Sequence, residues 1–157
     1  MNEQLRVRQL DQVEVRQIYG TYMQEDFPKN ERKPLERILG MLDDDIYECI
    51  GLFAEGHLVS YAFFVKTEES GFYLLDYLAV HKDHRSKGYG SIFLAEMRRY
   101  FKHVNGIFLE CESEYSVGEW TEENHKTAMQ RKKRIQFYRN NGAVLTNLKS
   151  ILFGVDY

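Results

Sequence analysis

The chain has 157 residues, 43% hydrophobic and 29% charged, with 11 Gly and 2 Pro; this is the make-up of one globular domain over 1–157, and it excludes a disordered or fibrous chain. A chain this long buries roughly 68–70% of its unfolded surface on folding, so no disulfide staple is needed, and Cys49 and Cys111, each inside an apolar run, read as free thiols of a cytoplasmic protein. A net charge of −3 gives no global field for nucleic acid, the longest strongly apolar stretch (Leu58 to Val65) is far short of the ~20 residues that span a bilayer, and the N-terminus lacks the features of a secretion leader, so neither nucleic acid nor a membrane is expected as a partner.

Leu5 to Leu10 alternates apolar and polar residues and reads as a strand with one buried face. Asp11 with Glu14 makes a capping box, after which Val15, Ile18, Tyr19 and Tyr22 fall at helical spacing until Glu25-Asp26-Phe27-Pro28 breaks the helix. Pro34 suits the first turn of a second helix carrying Leu35, Ile38, Leu39 and Leu42, and Asp43-Asp44-Asp45 ends it because acids oppose the dipole at a helix C-terminus. From Ile46 the period becomes two. Tyr47–Ala54, Leu58–Lys66 and Phe72–Val80 read as an antiparallel meander with turns at Glu55-Gly56 and Ser70-Gly71. Helical spacing returns from Gly88 to Val104, Ile107–Cys111 reads as a strand, and after an acidic stretch a last helix runs to Asn141, stopped by Asn140-Asn141-Gly142. Ala143–Thr146 and Ile151–Val155 read as two closing strands. The order is βααβββαβαββ, an α/β domain without internal repeat or linker.

The chemistry concentrates where the third meander strand, Leu74-Leu75-Asp76-Tyr77-Leu78-Ala79-Val80, runs through a basic loop into a helix opened by Gly88 and Gly90. A helix start offers backbone N–H groups in a positive dipole field, where a phosphate can sit, and Arg85 and Lys87 add charge there. On these grounds alone the pair of glycines fits a plain tight turn as well as a phosphate site. His81 and His84 have metal-like spacing but no nearby third ligand, so no metal is expected.

Arg85-Ser86-Lys87-Gly88-Tyr89-Gly90 resembles the Arg/Gln-x-x-Gly-x-Gly/Ala motif of the GNAT superfamily of acetyl-CoA-dependent N-acetyltransferases, and Leu78-Ala79-Val80 fits the strand before it. Phe137-Tyr138-Arg139-Asn140-Asn141-Gly142-Ala143 is similar to the family's second motif, in the expected order and on the expected helix. The resemblance implies a mixed central sheet, mostly antiparallel, with helices on both faces. It implies acetyl transfer from acetyl-CoA to a primary amine by direct attack, with the pantetheine arm along Leu78, Ala79 and Val80. The diphosphate is then expected on the N–H groups of Arg85, Ser86, Lys87, Gly88, Tyr89, Gly90 and Ser91, and the Val80 N–H is expected to polarise the thioester carbonyl. Tyr138 takes the part of the acid that protonates the departing thiolate; without the motif it reads as a packing aromatic. Arg131 stands where relatives that acetylate protein N-termini often carry Asn, which argues against that acceptor class.

Glu110 matches a base position of some relatives, and it either takes a proton from the amine or lines the cleft without titrating; Glu112 shares its strand face. Asp76 stands among apolar residues and must be paired or face a cleft, because an unpaired buried charge is costly. With Phe27, whose acidic neighbours bracket the expected entrance, Asp76 and Glu112 are candidate acceptor contacts favouring a small cationic or peptide amine. Arg131-Lys132-Lys133-Arg134 wraps a full helical turn and reads as a solvated surface. The competing readings are a non-catalytic acyl-CoA sensor and, less well supported at this net charge, a nucleic-acid-binding domain. The exposed edges of so small a sheet also allow a homodimer.

Overall fold

The structure, a computed structural model, describes residues 4–67, 69–146, 148, 151, 152, 155 and 156. Two compact units follow one another along the chain, Met1–Leu109 and Glu110–Tyr157.

The first unit is built on a sheet of β1 (Leu5–Gln9), β2 (Tyr47–Ala54), β3 (His57–Thr67), β4 (Phe72–Val80) and β5 (Gly106–Leu109), in that spatial order. The first three pairings are antiparallel and the last, β4 with β5, is parallel. Tight two-residue turns can join only antiparallel neighbours, so the parallel pair needs the crossover through helix α4 (Tyr89–Tyr100). The Asp11 capping box starts α1 (Gln12–Gly20), with the Glu14 N–H donated to the Asp11 carboxylate at 2.8 Å and the Asp11 N–H to Glu14 at 3.0 Å. The run expected to continue to Tyr22 breaks instead at Thr21, whose side chain bonds back to the Gln17 carbonyl at 2.6 Å, and restarts as α2 (Tyr22–Asp26). Helix α3 (Leu35–Asp43) follows.

Val15, Ile18, Met23, Ile38 and Leu39 of these helices pack on one sheet face against Tyr47, Cys49, Tyr61, Phe63 and Tyr77. Gly51 lies on the same side of β2, and a Cβ there would stand 2.6 Å from Leu58 Cδ1 and 3.1 Å from Leu10 Cδ2, so the glycine makes room for both leucines. The opposite face takes α4, with the Phe101 ring 4.8 Å from Phe64 and 5.3 Å from Tyr73. One residue of β4 changes its phase. Tyr77 opposes Phe63 and Leu75 opposes Phe64, leaving Asp76 as a bulge, so Tyr73 and Leu75 turn to the α4 layer while Tyr77 and Ala79 turn to the α1–α3 layer. The single face that alternation assigns to Phe72, Leu74, Asp76, Leu78 and Val80 is therefore split.

The second unit holds α5 (Glu122–Asn140), capped by Thr121, whose hydroxyl accepts the Asn124 N–H at 3.0 Å, and stopped at Asn141-Gly142. Two expected strands change. Ala143–Thr146 forms none, and the segment from Ile151 forms a small hairpin of β6 (Ile151–Leu152) with β7 (Val155–Asp156), its central residues 153 and 154 lying outside the described ones. No helix among the described residues is long and apolar enough to cross a membrane.

Candidate active site

The β4–β5 ladder covers Phe72 to Leu75 only, and among the described residues no ladder covers that edge of β4 from Asp76 onward. The His81 N–H is donated to the Val59 carbonyl at 2.9 Å, on the β3 side. Alternation along a strand therefore turns the N–H groups of Val80 and Leu78 to the open edge, while the Ala79 carbonyl faces β3 and accepts the Ser60 hydroxyl at 2.7 Å. Beyond Val80 the chain makes a 3-10 turn at Lys82–His84, passes through Ser86 at φ 62° and Gly88 at φ 83°, and enters α4 at Tyr89. A Cβ at Gly88 would meet nothing within 4 Å, so conformation and not space calls for the glycine. The first helical bond is Ile92 N–H to the Gly88 carbonyl at 3.1 Å, so Tyr89, Gly90 and Ser91 lie in the positive end of the helix ahead of it. Open strand edge, left-handed turn and helix start thus run together, a seat suited to an extended arm ending in an anion.

The basic side chains of this turn are committed to protein partners. Arg85 donates Nη2 to Asp26 Oδ1 at 2.7 Å and Nε to the Val80 carbonyl at 3.1 Å; Lys82 pairs with Glu25 at 2.9 Å; the Lys87 ammonium reaches the Asp83 carbonyl at 3.0 Å. His81 sits against the Tyr22 ring at 4.4 Å and 3.6 Å from Asp83, with its ring 5.8 Å from that of His84. Asp26, expected as one of the acidic neighbours of Phe27 at the entrance, is instead engaged by Arg85 and by the Tyr61 hydroxyl, which bonds to Oδ2 at 2.7 Å, and Tyr61 escaped sequence reasoning. An inward-facing Tyr61 opposite an acid-ended helix is the only signal, and it appears once the strands are aligned.

Asp76 is not the isolated acid that its apolar neighbours suggest. Lys33 Nζ lies 2.6 and 2.8 Å from its two oxygens and the Tyr47 hydroxyl bonds to Oδ2. Burial above all, and then the Asp76 charge, push the Tyr47 phenol far up. Tyr77 accepts the Lys33 N–H at 2.8 Å and donates to the Glu31 carbonyl at 2.9 Å, while its ring meets Phe27 edge-on at 5.0 Å.

In the second unit, Glu110 and Glu112 lie outside any strand, because β5 ends at Leu109; the strand expected to reach Cys111 is shorter, and its alternation does not orient these acids. Glu110 is exposed. Glu112 is 2.7 Å from Arg131 Nε, and Arg131 Nη1 also donates to the Ser113 carbonyl at 3.0 Å. The solvated surface expected of the basic turn holds for Lys132, Lys133 and Arg134, which are exposed, but Arg131 points inward on the half-buried stripe of Asn124, Ala128, Ile135 and Tyr138. The spacing of four, three, four and three carried that signal. Burial, and then Cys111, push the Tyr138 phenol up to about 12, and burial likewise raises the Cys111 thiol to about 11, so both are protonated donors at neutral pH. Among the described residues no group of three or more His, Cys, Asp or Glu could hold a metal ion.

Residues 12–120, most of the chain and including the strand, the left-handed turn and the start of α4, match the Acetyltransferase (GNAT) family. The chain belongs to the GNAT family of acetyltransferases. The enzyme has the fold of solved acetyltransferases at low identity. A Bacteroides thetaiotaomicron protein described as a GNAT-family acetyltransferase matches with a TM-score of 0.67 at 20% identity over 93% of this chain and 77% of its own. A spermidine N-acetyltransferase chimera from Vibrio cholerae matches with a TM-score of 0.70 at 12% identity, over 98% of this chain and 91% of its own. An aminoglycoside acetyltransferase from an uncultured soil metagenomic sample, in complex with sisomicin, gives 0.59 at 11% identity, over 95% and 94%. No curated protein sequence matches this acetyltransferase.

Proposed function

We propose that this cytoplasmic acetyltransferase works as one domain, uses acetyl-CoA and acetylates a small cationic amine. The observation that carries the reading is the open edge of β4, with the Leu78 and Val80 N–H groups aimed away from β3 and leading straight to the start of α4. Leu78, Ala79 and Val80 hold the pantetheine arm as an added strand, the Val80 N–H polarises the thioester carbonyl, and the main-chain N–H groups from Arg85 through Ser91 hold the diphosphate. The amine nitrogen attacks the carbonyl carbon, so a C–N bond forms while the C–S bond breaks. The thiolate takes a proton from Tyr138, and the amine gives one up, with Glu110 as the side-chain base assigned to it. Phe27 contributes an apolar wall for the acceptor. Asp76 and Glu112 meet an incoming ammonium only in competition with Lys33 and Arg131, which makes them secondary contacts.

Two fold relatives are named for polycationic acceptors, spermidine and aminoglycosides, and the exposed Glu119, Glu122 and Glu123 of this chain suit the same charge. The deciding experiment is steady-state CoA release from acetyl-CoA across polyamines, aminoglycosides, amino acids and N-terminal peptides. Turnover is expected with the first two classes. Turnover confined to peptides overturns the acceptor assignment, and saturable acetyl-CoA binding without turnover on any amine points to a sensor.

A further inference from the structure

The arginine that opens the glycine motif is the natural candidate for a diphosphate ligand, and its surroundings argue for another task. Its side chain is 56% exposed, yet two of its three guanidinium nitrogens are engaged, Nη2 by Asp26 at 2.7 Å and Nε by the Val80 carbonyl at 3.1 Å. The Asp26 side chain is the buried member, 6% exposed, and each of its oxygens has a donor, Arg85 on Oδ1 and the Tyr61 hydroxyl on Oδ2. Tyr61 belongs to the core, and burial followed by its bond to Asp26 drives its phenol far up, so it is a fixed donor that anchors the carboxylate. The chain of contacts thus runs from the core of β3 through Asp26 at the end of α2 and across Arg85 to the last peptide of β4.

Two consequences follow. Charge-assisted bonds of this kind are short and directional, so the guanidinium fixes the Val80 carbonyl on the same open edge to which the Val80 N–H points. The Arg85 charge is also neutralised at contact distance, as is that of Lys82 by Glu25. The turn therefore offers an anion its backbone N–H groups, the helix dipole and the Lys87 ammonium, which meets the neutral Asp83 carbonyl at 3.0 Å.

We propose that the Arg85 side chain positions the site and does not itself bind the diphosphate: held by Asp26 and Tyr61, the guanidinium locks the last peptide of β4 and couples α2 to the donor-binding edge. This rests on the proposed use of acetyl-CoA. It is tested by measuring kcat and KM for acetyl-CoA, with CoA affinity by calorimetry, in wild type, D26N, R85Q, R85K and the D26N/R85Q double variant, at a temperature where each is folded. The expected result is a loss of kcat/KM of about ten- to a hundredfold in D26N and R85Q alike. R85K fares no better than R85Q because the fork and not the charge is needed, and the double variant is no worse than R85Q. Y61F keeps both charges and moves in the same direction by less, which guards against misfolding of D26N. The proposal is overturned if D26N leaves CoA binding unchanged or tightens it while R85K retains most of it, the pattern of a direct phosphate ligand. It is equally overturned if the variants lower only the melting temperature. A wild-type protein that neither binds nor turns over acetyl-CoA is a different result, and it removes the functional reading and this inference together.

Discussion

The two units hold their chemistry-bearing side chains by different means. Every fully buried residue among those described lies between Leu10 and Phe101, in the first unit, whereas the 19 residues of α5 include none. In the first unit, Asp26 and Asp76 are fixed by tyrosines whose rings are themselves core. In the second, Arg131 and Tyr138 ride on a half-buried stripe secured by an ion pair and by helix caps. The difference teaches that damage should separate. Substitutions in the buried core of the first unit should register as stability, and substitutions on α5, like those at the first unit's partly exposed β4 edge, should register as rate.

The sharpest trial of that division is Phe63→Ala. Phe63 is fully buried in the midst of Tyr47, Tyr61 and Tyr77, and its truncation should destabilise by about 3–5 kcal/mol in urea unfolding; a loss below ~1 kcal/mol breaks the contrast. On the other side, Tyr138→Phe should slow turnover by about 10²–10⁴-fold, the range of a lost general acid, with the melting temperature hardly moved. Because burial pushes this phenol up to about 12 from the usual 10, the alkaline fall of kcat that it governs should lie towards pH 12; a fall centred near 10 in a pH profile argues against its role. Asp11→Ala tests local structure in the first unit and should cost about 1 kcal/mol through the lost capping box, measured by thermal unfolding. The smallest effect concerns pH. Glu14 is held below the ordinary carboxylate value of 4.5, chiefly by its hydrogen bond from Arg8. The stability it adds is therefore complete above about pH 4.5 and is lost as pH falls through the depressed folded-state value. Glu14→Gln should remove that part of the acid sensitivity of unfolding, and an unchanged acid limb sinks the assignment.

Much of the fold was legible because local signals agreed with one another. The capping box, the meander with its glycine turns and the Asn140-Asn141-Gly142 stop are set by nearest-neighbour chemistry, and each falls where the residues point. The glycine motif likewise located the left-handed turn and the α4 start. What escaped depended on partners distant in sequence. Asp76 looks isolated until Lys33, 43 positions earlier, is brought to it. Arg85 looks like a free cation until Asp26, 59 positions away, is seen beneath it. Periodicity extended β5 to Cys111, since apolar alternation continues past the last paired residue, Leu109. Ala143–Thr146 has strand-like residues but no partner among the described strands, and propensity without a ladder gives no strand.

The bulge at Asp76 makes the positions of β4 unequal in their tolerance of a change in length. Side chains and N–H groups both alternate with a period of two, so one extra residue acts as a frameshift in space: it assigns the first half of the strand to one layer and the second half to the other. Deleting Asp76 would close the bulge and make Leu75 and Tyr77 consecutive opposite Phe64 and Phe63, so Tyr77 and Ala79 would keep their layer and the Val80 N–H its open edge. Deleting a regularly paired residue such as Leu78 would instead turn Ala79 towards α4 and the Val80 N–H to the β3 side. Replacing Asp76 disturbs one carboxylate. Removing the position takes away that carboxylate and the bulge together but leaves the facing of the next four residues intact, so the strand can change length at this one place and not at a paired one.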